Sequence, residues 1–205
     1  MDQIRAELQA RIDTFEPIAI VPEGLRHAAV ALAVIFMGAE PGIVMTRRAS
    51  RLRDHPGQFA FPGGRLDPGE SVTQAARREL LEEVGLEVDE TAVMGVLDDY
   101  ATRSGYLMTP VVLWVGDRDW RSLVVSEAEV EEAFVVPLSE LGQEPNVYTI
   151  PESVRPIINV PFRDTVLHAP SGAIMHQFAE IALHGRTTRV AGYDQPLFAW
   201  GSRQE

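Results

Sequence analysis

Three glutamates, Glu79, Glu82 and Glu83, lie within five residues of one another in a segment with the features of a helix. At roughly 100° per residue they fall within one arc of that helix. Glu82 and Glu83 come at its C-terminal end, where the helix dipole disfavours anions and where like charges one turn apart repel. A bound Mg²⁺ would offset both effects, because it is commonly held by a few carboxylates and substrate phosphates. The pattern therefore predicts divalent-metal phosphate chemistry, with a solvated acidic face as the alternative.

The helix that would carry these glutamates is predicted from its two ends. Ser71 and Gln74 have the spacing of a capping box, in which each side chain bonds the backbone N–H of the other. Gly85 supplies the left-handed residue that commonly ends a helix. Leu80 and Val84 lie on the arc beside the acids, so we expect them to anchor the helix to a core.

The segment from Gly64 to Leu86 resembles the signature of the Nudix hydrolase family at every fixed position. The matching residues are Gly64, Glu70, Arg78, Glu79, Leu80, Glu82, Glu83, Gly85 and Leu86. The resemblance implies an α/β fold, an α/β/α sandwich with a mixed central sheet. It also implies hydrolysis of a nucleoside diphosphate linked to another group.

The same resemblance assigns roles to individual residues of the helix. It implies that Glu79 and Glu83 are the main metal ligands, that Glu82 assists them, and that all three are catalytic. Mg²⁺ is the expected cofactor, with Mn²⁺ as an alternative. Glu70 and Arg78 are expected to support the loop and the helix in place.

A second stretch, from Ile43 to Gly64, is similar to the additional motif of the coenzyme A pyrophosphatases within that family. The matching residues are Thr46, Arg53, Gly57, Phe61, Pro62, Gly63 and Gly64. The chain departs from the motif at Ala49, where the subfamily usually has Ser or Arg. The resemblance implies cleavage of coenzyme A to 3′,5′-ADP and 4′-phosphopantetheine, with substrate bound by Arg47, Arg53, Gly57, Phe61, Gly63 and Gly64. ADP-ribose, NADH or a dinucleoside polyphosphate remain alternative substrates, and a non-catalytic nucleotide-sensing domain is a further alternative.

A group of basic residues precedes the carboxylate helix in a chain whose formal net charge is −12. These residues are Arg47, Arg48, Arg51 and Arg53. Guanidinium groups bind phosphate through two parallel hydrogen bonds, so this loop suits an anionic substrate. We expect Arg53 to bind the 3′-phosphate of coenzyme A. The alternative is that the arginines pair with nearby acids and only offset their repulsion.

An acidic run from Glu127 to Glu132 precedes a strand-like segment. In many Nudix enzymes a glutamate of this region completes the metal shell or takes the proton from water, and the resemblance indicates Glu132 as this catalytic residue. Glu129 is the second candidate. Loop acids cannot be placed by spacing alone, so a solvated acidic loop is the alternative for the remaining acids.

Composition limits the class of protein. The 205 residues are 45% hydrophobic and 23% charged, as expected for one globular domain spanning residues 1–205. The negative charge argues against nucleic acid as the partner and leaves a small-molecule nucleotide. Cysteine is absent, which excludes disulfides and thiolate catalysis. The sequence has no apolar stretch of ~18 residues and no secretion pattern, so we expect no membrane partner and a cytoplasmic location.

The remaining elements are predicted from hydrophobic patterning. An amphipathic helix over residues 2–14 could pack on the domain or on a second copy, which makes a homodimer possible. The run His27–Met37 predicts a buried strand, and further strands are expected at 42–46, 91–97 and 107–115. A C-terminal extension from about residue 145 is expected to contain a hairpin turning at Pro170 to Gly172 and a helix from Glu180 to Val190.

Overall fold

The structure is a computed structural model that describes residues 1–21, 23–52 and 56–200. Its helices are α1 (Asp2–Asp13), α2 (Val72–Val84) and α3 (Ser171–His184). Its strands are β1 (Arg26–Met37), β2 (Glu40–Arg48), β3 (Phe59–Ala60), β4 (Gly63–Arg65), β5 (Val93–Val96), β6 (Tyr100–Ala101), β7 (Tyr106–Gly116), β8 (Val130–Pro137), β9 (Asn146–Tyr148), β10 (Ile157–Phe162) and β11 (Thr165–His168). None of the helices in the described ranges is long and apolar enough to cross a bilayer.

The central sheet is mixed, as predicted. Strand β1 pairs in parallel with β7 and antiparallel with β2, and β5 flanks β7 on the far side. Strands β3 and β8 pair with β2, and the short β4 pairs with β1. The continuous apolar run of β1 is explained by this central position, because a strand covered on both faces carries apolar side chains on both.

Helices cover both faces of the sheet, which confirms the predicted α/β/α sandwich. Ala29, Ala31 and Ala33 of β1 pack in one hydrophobic cluster with the inner face of α2. Alternate residues of β1, such as Leu32, pack in the opposite cluster with α1 and α3. The alanines are fully buried and small, so α2 can approach the sheet closely on its side.

The N-terminal helix packs on its own chain. Leu8 and Ile12 are each 4% exposed, and the Ile12 side chain lies so close to Gly95 that a Cβ there would be 2.6 Å from its Cγ2. The apolar stripe that made a second copy possible is therefore buried against α3 and β5 of the same protein.

Beyond residue 145 the expected hairpin and final helix were wrong. Residues Ser171–His184 form one helix, which begins directly after Pro170 and ends at Gly185 with a φ of 61°. A left-handed glycine stops a helix, so the segment to Val190 is irregular. Pro161 lies within β10. Strand β9 pairs with residues 157–159, in the first half of β10, so the missing N–H of Pro161 costs no ladder bond on that side.

A buried carboxylate, Asp194, ties the C-terminal segment to the loop before β7. Arg103 Nε donates to both carboxylate oxygens of Asp194, and Arg103 Nη2 donates to Oδ2. Ser153 Oγ also donates to Oδ2, at 2.8 Å. Burial acts to raise the pKa of Asp194, but the hydrogen bonds from Arg103, the Gln195 backbone and Ser153 outweigh it and hold the pKa well below its ordinary value of 3.8. The charged form of Asp194 therefore stabilises the fold.

We expect Asp194→Asn to lower the melting temperature most at neutral pH. Because the folded-state pKa is lowered, the stabilisation is fully present above pH 3.8 and is lost as the pH falls below that value. The difference in melting temperature between wild type and variant should thus stay nearly constant from pH 7 to about pH 4 and shrink as the pH falls further. Thermal unfolding across this range measures it, and a difference that is constant with pH would contradict the assignment.

Candidate functional site

Glu79 and Glu82 of α2 line a cleft of about 1290 Å³, and the buried Glu83 lies on the same helix without being part of the cleft lining. Its walls come from α2, from β4, from the loop between β2 and β3, and from the C-terminal segment. Among the residues that line it are Arg26, Arg48, Gly57, Phe61, Gly63, Gly64, Arg65, Glu79, Glu82, Tyr106, Glu129, His168, Gln195 and Phe198. The two sequence motifs thus border the same space.

Local sequence fixes both ends of α2 as predicted. The Gln74 N–H donates to Ser71 Oγ at 3.2 Å, and the Ser71 N–H donates to Gln74 Oε1 at 2.9 Å. Gly85 adopts a φ of 72°, and its N–H donates to the carbonyl oxygens of Leu80 and Leu81 in the last turn. Leu80 and Val84 are fully buried, so the apolar arc fixes the rotation of the helix and directs the acidic arc at the cleft.

The glycines of β4 leave room for a carboxylate. A Cβ on Gly64 would lie 2.1 Å from Glu79 Oε1, and one on Gly63 would lie 2.5 Å from the Ala29 carbonyl oxygen. At Gly63 the clash would be with the backbone of β1, so glycine is required there, whereas a side chain at Gly64 would displace the Glu79 carboxylate. This close approach brings the Glu79 carboxylate beside the backbone of β4.

Arg78 connects the acids of the signature. It donates to both oxygens of Glu70 at 2.9 and 3.0 Å, and its Nη1 donates to Glu79 at 2.8 Å and Glu82 at 2.9 Å. Its other terminal nitrogen donates to the Arg65 carbonyl at 2.9 Å. The hydrogen bond from Arg78 holds the pKa of Glu70 below its ordinary value. This geometry agrees with a supporting role for Glu70 and Arg78.

Two of the glutamates are buried acids. Burial raises the pKa of Glu83 to about 8, the Glu79 carboxylate adds to the shift, and Arg48 partly offsets it. Burial also raises the pKa of Glu79, against the opposing effect of Arg78. Glu83 is 4% exposed, whereas the side chain of Glu82 is 58% exposed at the cleft.

The donor set is chemically suited to a hard divalent cation. Burial raises the pKa values of Glu79 and Glu83 in spite of Arg78 and Arg48, so a bound cation would further stabilise their ionised forms. Each of Glu79 and Glu82 gives one oxygen to Arg78 and has a second oxygen left for a cation. Within residues 1–21, 23–52 and 56–200, no three acidic or histidine side chains are grouped closely enough to hold an ion by themselves. Substrate phosphate and water oxygens would therefore have to supply part of a coordination shell.

The acidic run places Glu129, not Glu132, at the cleft. Glu132 lies on β8 opposite Arg47, and its carboxylate is 3.5 Å from the Arg47 guanidinium. Glu131 pairs with the same guanidinium at 3.0 Å. Glu129 lines the cleft, and its backbone is held by hydrogen bonds with Ala49 and Ser126. No sequence spacing could have distinguished the two loop acids.

The arginines before the carboxylate helix differ in their surroundings, and both roles expected for them, binding an anionic substrate and pairing with nearby acids, have support. Arg47 is in ion pairs with the acids of β8, which agrees with the alternative of charge compensation. Arg48 lines the cleft, together with Gly57 and Phe61 of the substrate motif. Arg53 and His55 lie outside the described residues.

Several residues of the cleft wall were missed at the level of sequence. The C-terminal segment contributes His168, Gln195 and Phe198, with Phe198 64% exposed and edge-to-face on the His168 ring at 5.1 Å. Arg26 and Arg65 lie at strand ends on the same wall. No local motif marks any of them, because only the pairing of distant segments brings them to the cleft.

Comparison with known proteins gives consistent results. Residues 25–156 match the NUDIX domain. A protein of Caenorhabditis elegans named Nudix hydrolase 3 is 35% identical over 114 residues, which are 55% of this chain and 48% of that protein. A protein of Photorhabdus laumondii named "Uncharacterized Nudix hydrolase NudL" is 43% identical over 116 residues, 56% of this chain and 60% of that protein. The chain thus spans only about half to three fifths of the length of these curated relatives.

The fold has a counterpart among solved structures. The Nudix hydrolase RenU from M. Smegmatis matches with a TM-score of 0.53 at 19% identity, over 81% of this chain and 91% of that chain. At this identity the likeness bears on the fold alone. Because the NUDIX domain match covers well over half of the chain and includes the whole segment from β4 to the end of α2, this protein belongs to the Nudix family.

Proposed function

We propose that this protein hydrolyses a nucleoside diphosphate linkage with the help of a divalent metal ion, and that its substrate is coenzyme A or an acyl-coenzyme A. The cleft supports this proposal because the two sequence motifs meet there. Residues of the coenzyme A motif (Gly57, Phe61 and Gly63) border the same space as the acids Glu79 and Glu82. The products would be 3′,5′-ADP and 4′-phosphopantetheine.

The carboxylates of α2 are proposed as the metal site. Glu79 and Glu83 would be the main ligands and Glu82 the assisting one, which agrees with their oxygen donors and with the raised pKa values of the buried pair. Mg²⁺ is the proposed ion, and Mn²⁺ suits the same oxygen donors. When bound, the ion would neutralise charge on the diphosphate and lower the pKa of an attacking water.

The residues of the chain then have separable tasks. Arg78 keeps the α2 carboxylates aligned through its hydrogen bonds to Glu79 and Glu82. Arg48 lines the cleft, and its proposed task is to bind a phosphate oxygen. We propose Glu129 in place of Glu132 as the glutamate that accepts the proton of water, because Glu129 lines the cleft and Glu132 is paired with Arg47.

A substrate panel tests the proposal. Coenzyme A, dephospho-coenzyme A, ADP-ribose, NADH and diadenosine tetraphosphate are each incubated with the protein and Mg²⁺, and the products are identified by mass spectrometry. We expect coenzyme A to have the highest kcat/KM and to yield 3′,5′-ADP. Preference for another member of the panel would support Nudix hydrolysis with a different substrate. Binding without cleavage of any member would favour a nucleotide sensor.

A further inference from the structure

Three strand ends form a basic patch on the cleft wall. Arg26 begins β1, Tyr106 begins β7, and Arg65 ends β4. Arg26 and Tyr106 are register partners, and Arg65 is the partner of Ala28 two residues along β1. The two arginines are exposed and line the cleft with Tyr106 between them.

The phenol ring holds both guanidinium groups in place. The Arg26 Cζ lies 4.0 Å from the centroid of the Tyr106 ring, and the Arg65 Cζ lies 5.4 Å from it. Arg26 also donates to the Ser104 carbonyl at 2.9 Å, and Arg65 donates to the Tyr106 hydroxyl at 2.7 Å. Each guanidinium has five N–H donors, so most of them remain for a ligand.

Neither arginine of this patch has an acidic partner among the described residues. Within the part of the chain that the structure describes, no carboxylate oxygen lies within 4.0 Å of Arg26 or Arg65. Arg47, Arg78 and Arg103, in contrast, each have at least one acidic partner. Acidic residues outnumber basic ones by 30 to 18, so acids to pair with are plentiful. Two like charges fixed beside one ring repel each other, and an anion between them would remove that cost.

We propose that Arg26 and Arg65 bind a second phosphate group of the substrate, one that is not part of the hydrolysed diphosphate. This inference rests on the proposed function, under which that group is the 3′-phosphate of coenzyme A. The patch is close enough to the acids to bind another part of the same substrate. Arg65 directly follows Gly64, whose backbone contacts Glu79, and a strand rises by about 3.4 Å per residue. The patch and the acids therefore border neighbouring parts of one cleft.

This assignment differs from the sequence-based expectation that Arg53 binds the 3′-phosphate. Arg53 lies outside the residues that the structure describes. Arg47 is in ion pairs with Glu131 and Glu132. Arg26 and Arg65 stay available to a ligand and approach it as a pair, which suits the several oxygens of a phosphate. They would thereby distinguish coenzyme A from dephospho-coenzyme A, ADP-ribose and NADH, which lack the 3′-phosphate.

Calorimetric binding without metal tests the patch separately from catalysis. We expect the wild-type protein to bind 3′,5′-ADP about tenfold more tightly than 5′-AMP, and the double variant Arg26→Ala/Arg65→Ala to bind both equally weakly. The matched control is Arg118→Ala/Arg121→Ala, which removes two exposed arginines outside the cleft, one of them also stacked on an aromatic ring. That control should keep the preference. Arg65→Gln, which retains a donor for Tyr106, gives a second reading if the double variant unfolds, and should lose most of the preference.

The proposal is overturned if the wild type binds 3′,5′-ADP and 5′-AMP equally, if the preference survives in the double variant, or if the control pair abolishes it as well. It is also overturned if Arg53→Ala alone removes the preference while the Arg26 and Arg65 variants keep it. If the wild-type protein prefers 3′,5′-ADP over 5′-AMP as expected but does not hydrolyse coenzyme A, the proposed function is contradicted. The proposal that Arg26 and Arg65 bind a phosphate is then still supported. If the protein hydrolyses coenzyme A but the double variant still prefers 3′,5′-ADP over 5′-AMP, the proposed function is supported and the proposal for Arg26 and Arg65 is overturned.

Discussion

A Glu83→Gln variant is expected to hydrolyse its substrate about a thousandfold more slowly than the wild-type protein, with an unchanged or slightly higher melting temperature. Losing a carboxylate ligand removes about 4 kcal/mol of charge stabilisation in the transition state, and each 1.36 kcal/mol is a factor of ten in rate. The fold should tolerate the change, because burial already raises the pKa of Glu83 to about 8. At pH 7 the side chain of the metal-free protein is thus mostly neutral, and glutamine resembles that form.

The measurement is kcat at saturating Mg²⁺, with thermal unfolding of the metal-free protein in parallel. Glu87→Gln is the matched control, since Glu87 is exposed just beyond the end of the same helix. It should keep the wild-type rate. Near wild-type turnover of Glu83→Gln under saturating Mg²⁺ would refute the ligand assignment, whereas a large loss of melting temperature would show that the charge of Glu83 is needed for folding.

The sequence predicted α2 best, because its ends and its buried face depend only on residues that are close together in the chain. The capping box at Ser71, the left-handed Gly85 and the buried arc with Leu80 depend only on residues within one helix, and the structure has all of them. The long apolar run of β1 could be recognised for a similar reason, because a strand buried on both faces needs no partner to be identified.

The features that sequence missed depend on segments far apart in the chain. The pairing of β1, β4 and β7 brings Arg26, Arg65 and Tyr106 together, and nothing in the spacing of these residues indicates it. The start of α3 was missed because Pro170 was expected to make a turn, whereas it directly precedes α3. A proline fits the first turn of a helix as well as a turn, so the residue alone does not decide between them.

Glu129 and Glu132 are only three residues apart in the acidic run, but only Glu129 lines the cleft. We expect Glu129→Gln to lower kcat about a hundredfold, as is typical for loss of a general base. Glu129 lines the cleft and lies close enough to Glu79 and Glu83 to raise the pKa of both. Glu132→Gln should stay near the wild-type rate, because its side chain is 47% exposed and paired with Arg47.

Metal affinity separates the two roles that Glu129 could have. If Glu129 accepts the proton of water, kcat falls while the dissociation constant for Mg²⁺, measured by calorimetry, stays the same. If Glu129 is instead a ligand, the affinity for Mg²⁺ falls with the rate. Loss of activity in Glu132→Gln, with Glu129→Gln unaffected, would reverse the assignment. Glu132 would then have to leave Arg47 during turnover, since its ion pair lies outside the cleft in this structure.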